Sequence, residues 1–228
     1  MFSWILLLIG TFALSFIAMA RVKSAISKYS QVPAASGLSG AEAARRILSM
    51  AGIDHVEVVC HNGLMGDHYD PMNKRLVLSE ENFHGRSVAA LGIAAHEAGH
   101  AVQDKVAYGP LKWRMASVGM VNLVSPMIYI VPIVAMFGLI APKTALTAVA
   151  IAFGVMMLFQ LVTLPVEFDA SKRAKVILGR TGMIAAGEEA TGVEKVLNAA
   201  AFTYVAAFVS SLGWFLYYLL PLIGASRD

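Results

Sequence analysis

Four runs of this chain hold no charged side chain at all: residues 2–20, 115–141, 144–164 and 199–223. A helix rising 1.5 Å per residue needs about 20 residues to cross roughly 30 Å of hydrocarbon, and each run reaches that length, the first only just. In lipid every backbone N–H and C=O has to be satisfied within the chain, so runs of this kind fold as helices. The composition agrees. Hydrophobic residues make up 57% of the chain and charged ones 14%, against about a quarter charged in soluble domains, and the mean hydropathy is +0.65. The expected class is therefore a mainly α-helical, multi-pass membrane protein.

Four crossings put residues 21–114 and 166–198 on one side of the bilayer. Of the 18 Lys and Arg residues, only Lys143 and Arg227 fall on the other side. The cations nearest the span ends, Arg21, Lys23, Lys112, Arg114, Lys172, Arg173 and Lys195, agree with that total, so the polar side is predicted to be cytoplasmic and both termini external. Ala18-Met19-Ala20 resembles a signal-peptidase site. However, the first run is followed rather than preceded by Arg21, Lys23 and Lys28, which suits an uncleaved anchor. The net charge of +3 is too small and scattered for a nucleic-acid partner. The single cysteine, Cys60, excludes an internal disulfide and fits a reducing compartment. It ends an alternating apolar run and reads as a buried strand residue rather than a nucleophile.

These divisions give a transmembrane anchor over residues 1–20, a cytoplasmic part over 21–114 and a transmembrane hairpin over 115–165. A cytoplasmic helical segment over 166–198 and a last transmembrane helix over 199–223 complete the chain. Pro126 and Pro132 lie inside the second span without being expected to break it. Pro142-Lys143 reads as a tight turn, and Trp214, Tyr217 and Tyr218 as interface anchors. In the first polar part Ser39 and Glu42 form a capping box that opens a helix ended by Gly52, with Ala43, Ala44, Ile47 and Leu48 as its buried face. Residues 55–59 and 75–79 read as short strands, and residues 62–71 between them as turn. Residues 86–103 read as a helix with small sides. Residues 167–198 read as mostly helical, broken near Gly179, Gly182, Gly187 and Gly192.

The helix over residues 86–103 carries His96-Glu97-Ala98-Gly99-His100. Two imidazoles four residues apart lie on one helix face, about 6 Å apart along the axis, where both can reach one metal ion. Glu97 stands beside them, placed to take a proton from a bound water. This His-Glu-x-x-His spacing is the zinc-peptidase signature. Gly99 carries a helix penalty of about 1 kcal/mol, which points to close packing or substrate access. A catalytic zinc needs a third protein ligand, and every histidine precedes Ala101, so a distal ligand must be a carboxylate. Glu167 follows the third span directly and lies on the same side as the pair, with Glu188 and Glu189 as the fallback. Asp169 and Ser171 are placed to hydrogen-bond a ligating histidine from behind. Ser171 shares the helix face of Glu167 and Asp169 does not.

On these segments the chain resembles the YugP-type neutral zinc metallopeptidases of bacterial membranes. The resemblance rests on Ser39-Gly-Ala-Glu42, Asp67-His68-Tyr69-Asp70-Pro71, Ala95-His96-Glu97-Ala98-Gly99-His100, Glu167-Phe168-Asp169-Ala170-Ser171 and Asn198-Ala-Ala-Ala-Phe-Thr-Tyr204. It is more distantly similar to HtpX-type and prenyl-protein-processing membrane peptidases, which place a glutamate ligand in a Glu-x-x-x-Asp pattern. Here that pattern reads Glu167-x-x-x-Ser171. The resemblance implies a gluzincin with one Zn²⁺ per chain on His96, His100 and Glu167, and Glu97 as general base. The fold it implies is four transmembrane helices with a small α+β zincin-like cytoplasmic domain.

The expected activity is hydrolysis of protein or peptide substrates at the bilayer surface. His68 and Tyr69 have suitable chemistry for the oxyanion, although Asp67 and Asp70 also suit a turn whose side chains bond the backbone. Residues 75–79 read as an edge strand able to hold an extended peptide. His55, His61 and His84 read as surface histidines. A non-catalytic zinc-binding scaffold and an intramembrane protease are the alternatives. Burying His96, Glu97 and His100 in lipid is costly unless they line a wet cavity. A transporter would need ionisable groups within its spans, where the strong polar groups are Asn122 and Gln160.

Overall fold

Helix α1 (Phe2–Tyr29) does not stop at the end of the apolar run. Residues 21–29 contain no Gly or Pro, and Lys28 in the last turn interacts favourably with the helix dipole, so the helix continues to the buried Tyr29. The computed structural model describes residues 2–62 and 66–224. Gly63, Leu64 and Met65 of the turn-rich stretch, and Arg227 of the charge count, lie outside the described residues. Helix α2 (Gly40–Met50) opens on the capping box. The Glu42 N–H donates to Ser39 Oγ at 3.2 Å and the Ser39 N–H to Glu42 Oε2 at 2.7 Å, an arrangement that stabilises a helix start by about 1 kcal/mol.

Three strands follow, β1 (Glu57–His61), β2 (His68–Asp70) and β3 (Arg75–Ser79), in the spatial order β1-β3-β2. Strand β3 runs parallel to β1, with Val58 opposite Leu76, and antiparallel to β2, with Tyr69 opposite Leu76. Residues 75–79 are thus the central strand and not an edge. Leu76, Val77 and Leu78 are buried in succession, a continuous apolar run that needs cover on both faces. The sheet edge nearest the helix that carries His96 and His100 is β2, which lies in the stretch read as turn. Its ends are tethered by carboxylates. Asp67 Oδ1 accepts from the Ser79 N–H at 2.7 Å, and Asp70 Oδ1 accepts from the Met72 and Asn73 N–H groups. Cys60, expected inside, is exposed, because β1 runs beyond the core that buries Val58.

A short helix α3 (Glu80–His84) leads to α4 (Val88–Lys105), which Ser87 caps by accepting from the Ala90 N–H at 3.2 Å. Then come α5 (Gly109–Val124), α6 (Met127–Met136), α7 (Pro142–Arg180) and α8 (Glu188–Gly224). Four stretches are long and apolar enough to cross a membrane: α1, α5 with α6, α7 and α8. Three local expectations are corrected. Pro126 does interrupt the second span, since it cannot donate its backbone N–H and so sits between α5 and α6 as the N-cap of α6. Pro142 opens α7 rather than making a turn, as suits a proline in the first helical turn; the reversal falls just before it, where Gly138 has φ 73°. Gly179 and Gly192 lie within helices, and the break between α7 and α8 is confined to residues 181–187, where Gly182 and Gly187 adopt positive φ.

The membrane helices therefore extend well past their apolar runs. The polar ends of α7 and α8 pack against α4, whose residues Leu91, Ala94, Ala95 and Ala98 are fully buried under α2 and the sheet. Gly99 explains the tight fit. A Cβ there would meet the Ala170 carbonyl oxygen at 2.9 Å and Ala170 Cα at 3.3 Å, so only glycine lets α7 approach α4 this closely.

Candidate metal centre

That close approach sets Glu167 of α7 opposite the histidine pair of α4. Glu167 Oε2 lies 3.2 Å from His96 Nε2 and 3.6 Å from His100 Nε2. One nitrogen from each imidazole and one carboxylate oxygen lie within 4.8 Å of one another. The two rings are nearly perpendicular, at 83°, with centroids 4.7 Å apart, so both Nε2 atoms converge on the carboxylate. Glu188 and Glu189 do not reach the site. Glu189 instead accepts from the Ala35 and Ala185 N–H groups, tying the start of α8 to neighbouring loops.

The orientation of each imidazole follows from what lies behind it. Gln103, fully buried one turn beyond His100, donates its amide to the Val166 carbonyl at 2.8 Å and to Asp169 Oδ2 at 2.9 Å. Both partners only accept, so the Gln103 carbonyl oxygen is the atom facing His100 Nδ1 at 3.0 Å. His100 Nδ1 therefore carries the proton, and Nε2 presents its lone pair to the cluster. Asp169 touches neither histidine. It acts through Gln103, and Arg173 Nε holds it in turn at 2.5 Å. Ser171 Oγ stands 3.1 Å from His96 Nδ1, and in the tautomer that frees Nε2 it accepts the Nδ1 proton. Burial would lower the His100 pKa, but the Glu167 carboxylate and the Glu97 charge outweigh it and raise it.

Glu167 is 1% exposed. Its Oε1 has no hydrogen-bond partner among the described residues, although the Arg114 guanidinium is 3.1 Å away as a misaligned ion pair. A buried carboxylate held this way, facing the Nε2 atoms of two imidazoles, is a donor set that suits a divalent zinc-like cation. Glu97 is buried beside it.

Two cavities meet at this cluster and share Asp67, His96, Glu97, Glu167 and Tyr204. The first, of about 280 Å³, is walled by residues 67–71 around β2 and by Arg114 of α5. The second, of about 190 Å³, is apolar and lined by Ile26, Ile93, Val196 and Ala200. His68 and Tyr69 both line the first cavity. The Tyr69 hydroxyl donates to Asp104 Oδ2 at 2.8 Å, and His68 Nδ1 donates to the Gly66 carbonyl at 2.9 Å. Tyr69 is thus already committed, and His68 can donate from Nε2 only as the imidazolium. His55 and His84 are exposed.

Sequence reasoning missed three residues here: Gln103, Arg114 and Tyr204. Gln103 had a signal, being one turn from His100 on the same face. Arg114 had none beyond its place at a span end, and Tyr204 none beyond its place in the segment from Asn198 to Tyr204 that carries the resemblance, because only the packing of α5 and α8 brings them to Glu167.

The chain is 45% identical over 210 residues to the "Putative membrane protease YugP" of Bacillus subtilis (strain 168), a match covering 92% of each chain. No solved structure matches it. The family model described as "Putative neutral zinc metallopeptidase" matches residues 4–222, from the first membrane helix to the last. The chain belongs to that family.

Proposed function

We propose that this chain is a membrane-anchored zinc metalloendopeptidase with a cytoplasmic active site. The observation that carries the reading is the convergence of His96 Nε2, His100 Nε2 and the Glu167 carboxylate beside Glu97, at the meeting of two cavities. His96, His100 and Glu167 would hold the metal, leaving a coordination position open. When bound there, zinc supplies Lewis-acid polarisation of a carbonyl and a lowered pKa for water.

The rest of the chemistry falls to the chain's own side chains. Glu97 takes the proton of the attacking water and passes it to the leaving amine, a transfer worth about 10²–10⁴ in rate. Arg114 and Tyr204 face the cavity with donors for the carbonyl oxygen as charge develops on it; Tyr69 positions β2 through Asp104 instead. The free edge of β2, at the rim of the first cavity, is where an extended peptide would add as a further antiparallel strand in a zincin-like arrangement. The apolar second cavity suits an aliphatic side chain next to the scissile bond.

Zinc content and casein cleavage by the detergent-solubilised protein test the reading together. The wild type should hold one zinc per chain and cleave, with chelator abolishing cleavage and added zinc restoring it. Glu97→Gln should keep its zinc and lose at least 10²-fold in rate. Stoichiometric zinc without cleavage by the wild type would favour a metal-binding scaffold.

A further inference from the structure

A third cavity, of about 700 Å³, lies between α1 and α8 and shares no lining residue with the two around Glu167. Its chemistry changes with depth. Helix α1 leaves the apolar run where α8 enters its own, so the two helices carry matching levels side by side. At the deep level are Phe16 and Ile17 of α1 and Phe202 of α8; at the shallow level are Arg21, Lys28 and Lys195. Ile17, Arg21, Ser24 and Lys28 fall on one face of α1, and Lys195, Asn198 and Phe202 on one face of α8.

Among the described residues none of these three cations forms an ion pair with a carboxylate. The Arg21 guanidinium instead lies over the Phe202 ring, 4.9 Å from its centroid, and the Lys28 ammonium 5.4 Å from that of Tyr29. Among the described residues, no acidic side chain lines the cavity. Asn198 on its wall accepts from Lys175 Nζ at 3.3 Å and donates to Glu194 Oε1 at 3.5 Å.

Three unpaired cations above an apolar wall, at the end of an uncharged membrane run, match one kind of molecule. A free phosphate would leave the apolar wall uncovered, and a water-soluble partner would have to enter hydrocarbon to reach Phe16. We propose that this cavity binds one anionic phospholipid, with its headgroup phosphate on Arg21, Lys28 and Lys195 and an acyl chain along Phe16, Ile17 and Phe202. The site would orient the cytoplasmic part against the leaflet where anionic lipid is found.

Native mass spectrometry of the full chain, titrated with phosphatidylglycerol or with phosphatidylcholine of the same acyl chains, tests this directly. One phosphatidylglycerol should remain per chain, bound at least tenfold more tightly than phosphatidylcholine. Each cation removed should weaken binding about fivefold, so the Arg21→Gln/Lys195→Gln pair should lose roughly 25-fold. Lys112→Gln, at a membrane boundary outside the cavity, should lose nothing. Ala20→Phe keeps all three cations but fills the apolar level, and it should also displace the lipid. The proposal is overturned if the paired variant retains phosphatidylglycerol as well as Lys112→Gln does. It is equally overturned if phosphatidylcholine binds as tightly, if inorganic phosphate at the same concentration displaces the lipid, or if a second copy of the chain takes its place.

Discussion

Gln103 has no acid–base chemistry, yet every polar atom of its side chain is committed, and the direction of each bond is fixed by partners that can only accept. It converts a choice of two His100 tautomers into one, with the Nε2 lone pair aimed at the site. Gln103→Leu conserves most of the volume and removes that control. Zinc affinity measured by chelator competition should fall 10–100-fold, with activity regained at saturating zinc. Unchanged affinity would show that His100 is oriented by packing alone. Ser171 has the corresponding task behind His96. It stands where the more distant peptidases place an aspartate, so here a neutral hydroxyl supports the first imidazole.

Two contacts between elements set the shape of the site. The first is the α4–α7 crossing at Gly99, where a Cβ would press on Ala170 backbone that cannot yield cheaply. Gly99→Ala should cost about 1–3 kcal/mol in stability and weaken zinc binding by moving Glu167 away from the histidines. Gly179→Ala, on the same α7 helix but in open space, should be neutral or slightly stabilising. Thermal melts and zinc titrations of the two variants distinguish a steric effect from a helix-propensity effect. The second contact is Asp104 of α4, which receives Tyr69 at 2.8 Å and Lys74 Nζ at 2.6 Å and so clamps β2 to α4. Burial alone would raise the Asp104 pKa, but the bonds from Lys74 and Tyr69 outweigh it and hold the carboxyl below its ordinary value. A depressed folded-state pKa adds stability above the unfolded value of about 3.9 and loses it as pH falls through the folded value. Asp104→Asn should therefore lower stability near neutral pH by about 1 kcal/mol and flatten the acid limb of the stability profile. An unchanged acid limb would rule the clamp out as its source.

For the molecule as a whole, the ordering of polar and apolar stretches makes a claim about sidedness that the protein's own thiol can check. Cys60 is the single cysteine, and it is exposed on β1. A membrane-impermeant maleimide should label it only after cells are permeabilised. Labelling of intact cells would put the polar part, with His96 and His100, outside. The four crossings also explain the architecture. Each membrane helix continues into water as a packing element, so the same rods that anchor the chain bring Glu167 and Tyr204 to the histidine pair of α4. The membrane helices are part of the frame of the candidate metal centre, and a version trimmed to residues 21–114 would lack Glu167.

The charge-free runs, the capping box at Ser39 and the spacing of His96, Glu97 and His100 were legible from sequence because each is a local pattern with a short physical range. Glu167 was legible as well, since membrane topology limits which side a residue can reach. The pairing order of the strands was not, because β2 is placed by Asp67 through Ser79 and Asn82, partners 12 and 15 residues away in sequence. Nor were Gln103, Arg114 and Tyr204, or the exposure of Cys60. Those depend on how closely α4, α5, α7 and α8 pack, a distance governed by one missing Cβ at Gly99 and by side-chain volumes summed across four helices, which no run of neighbouring residues encodes.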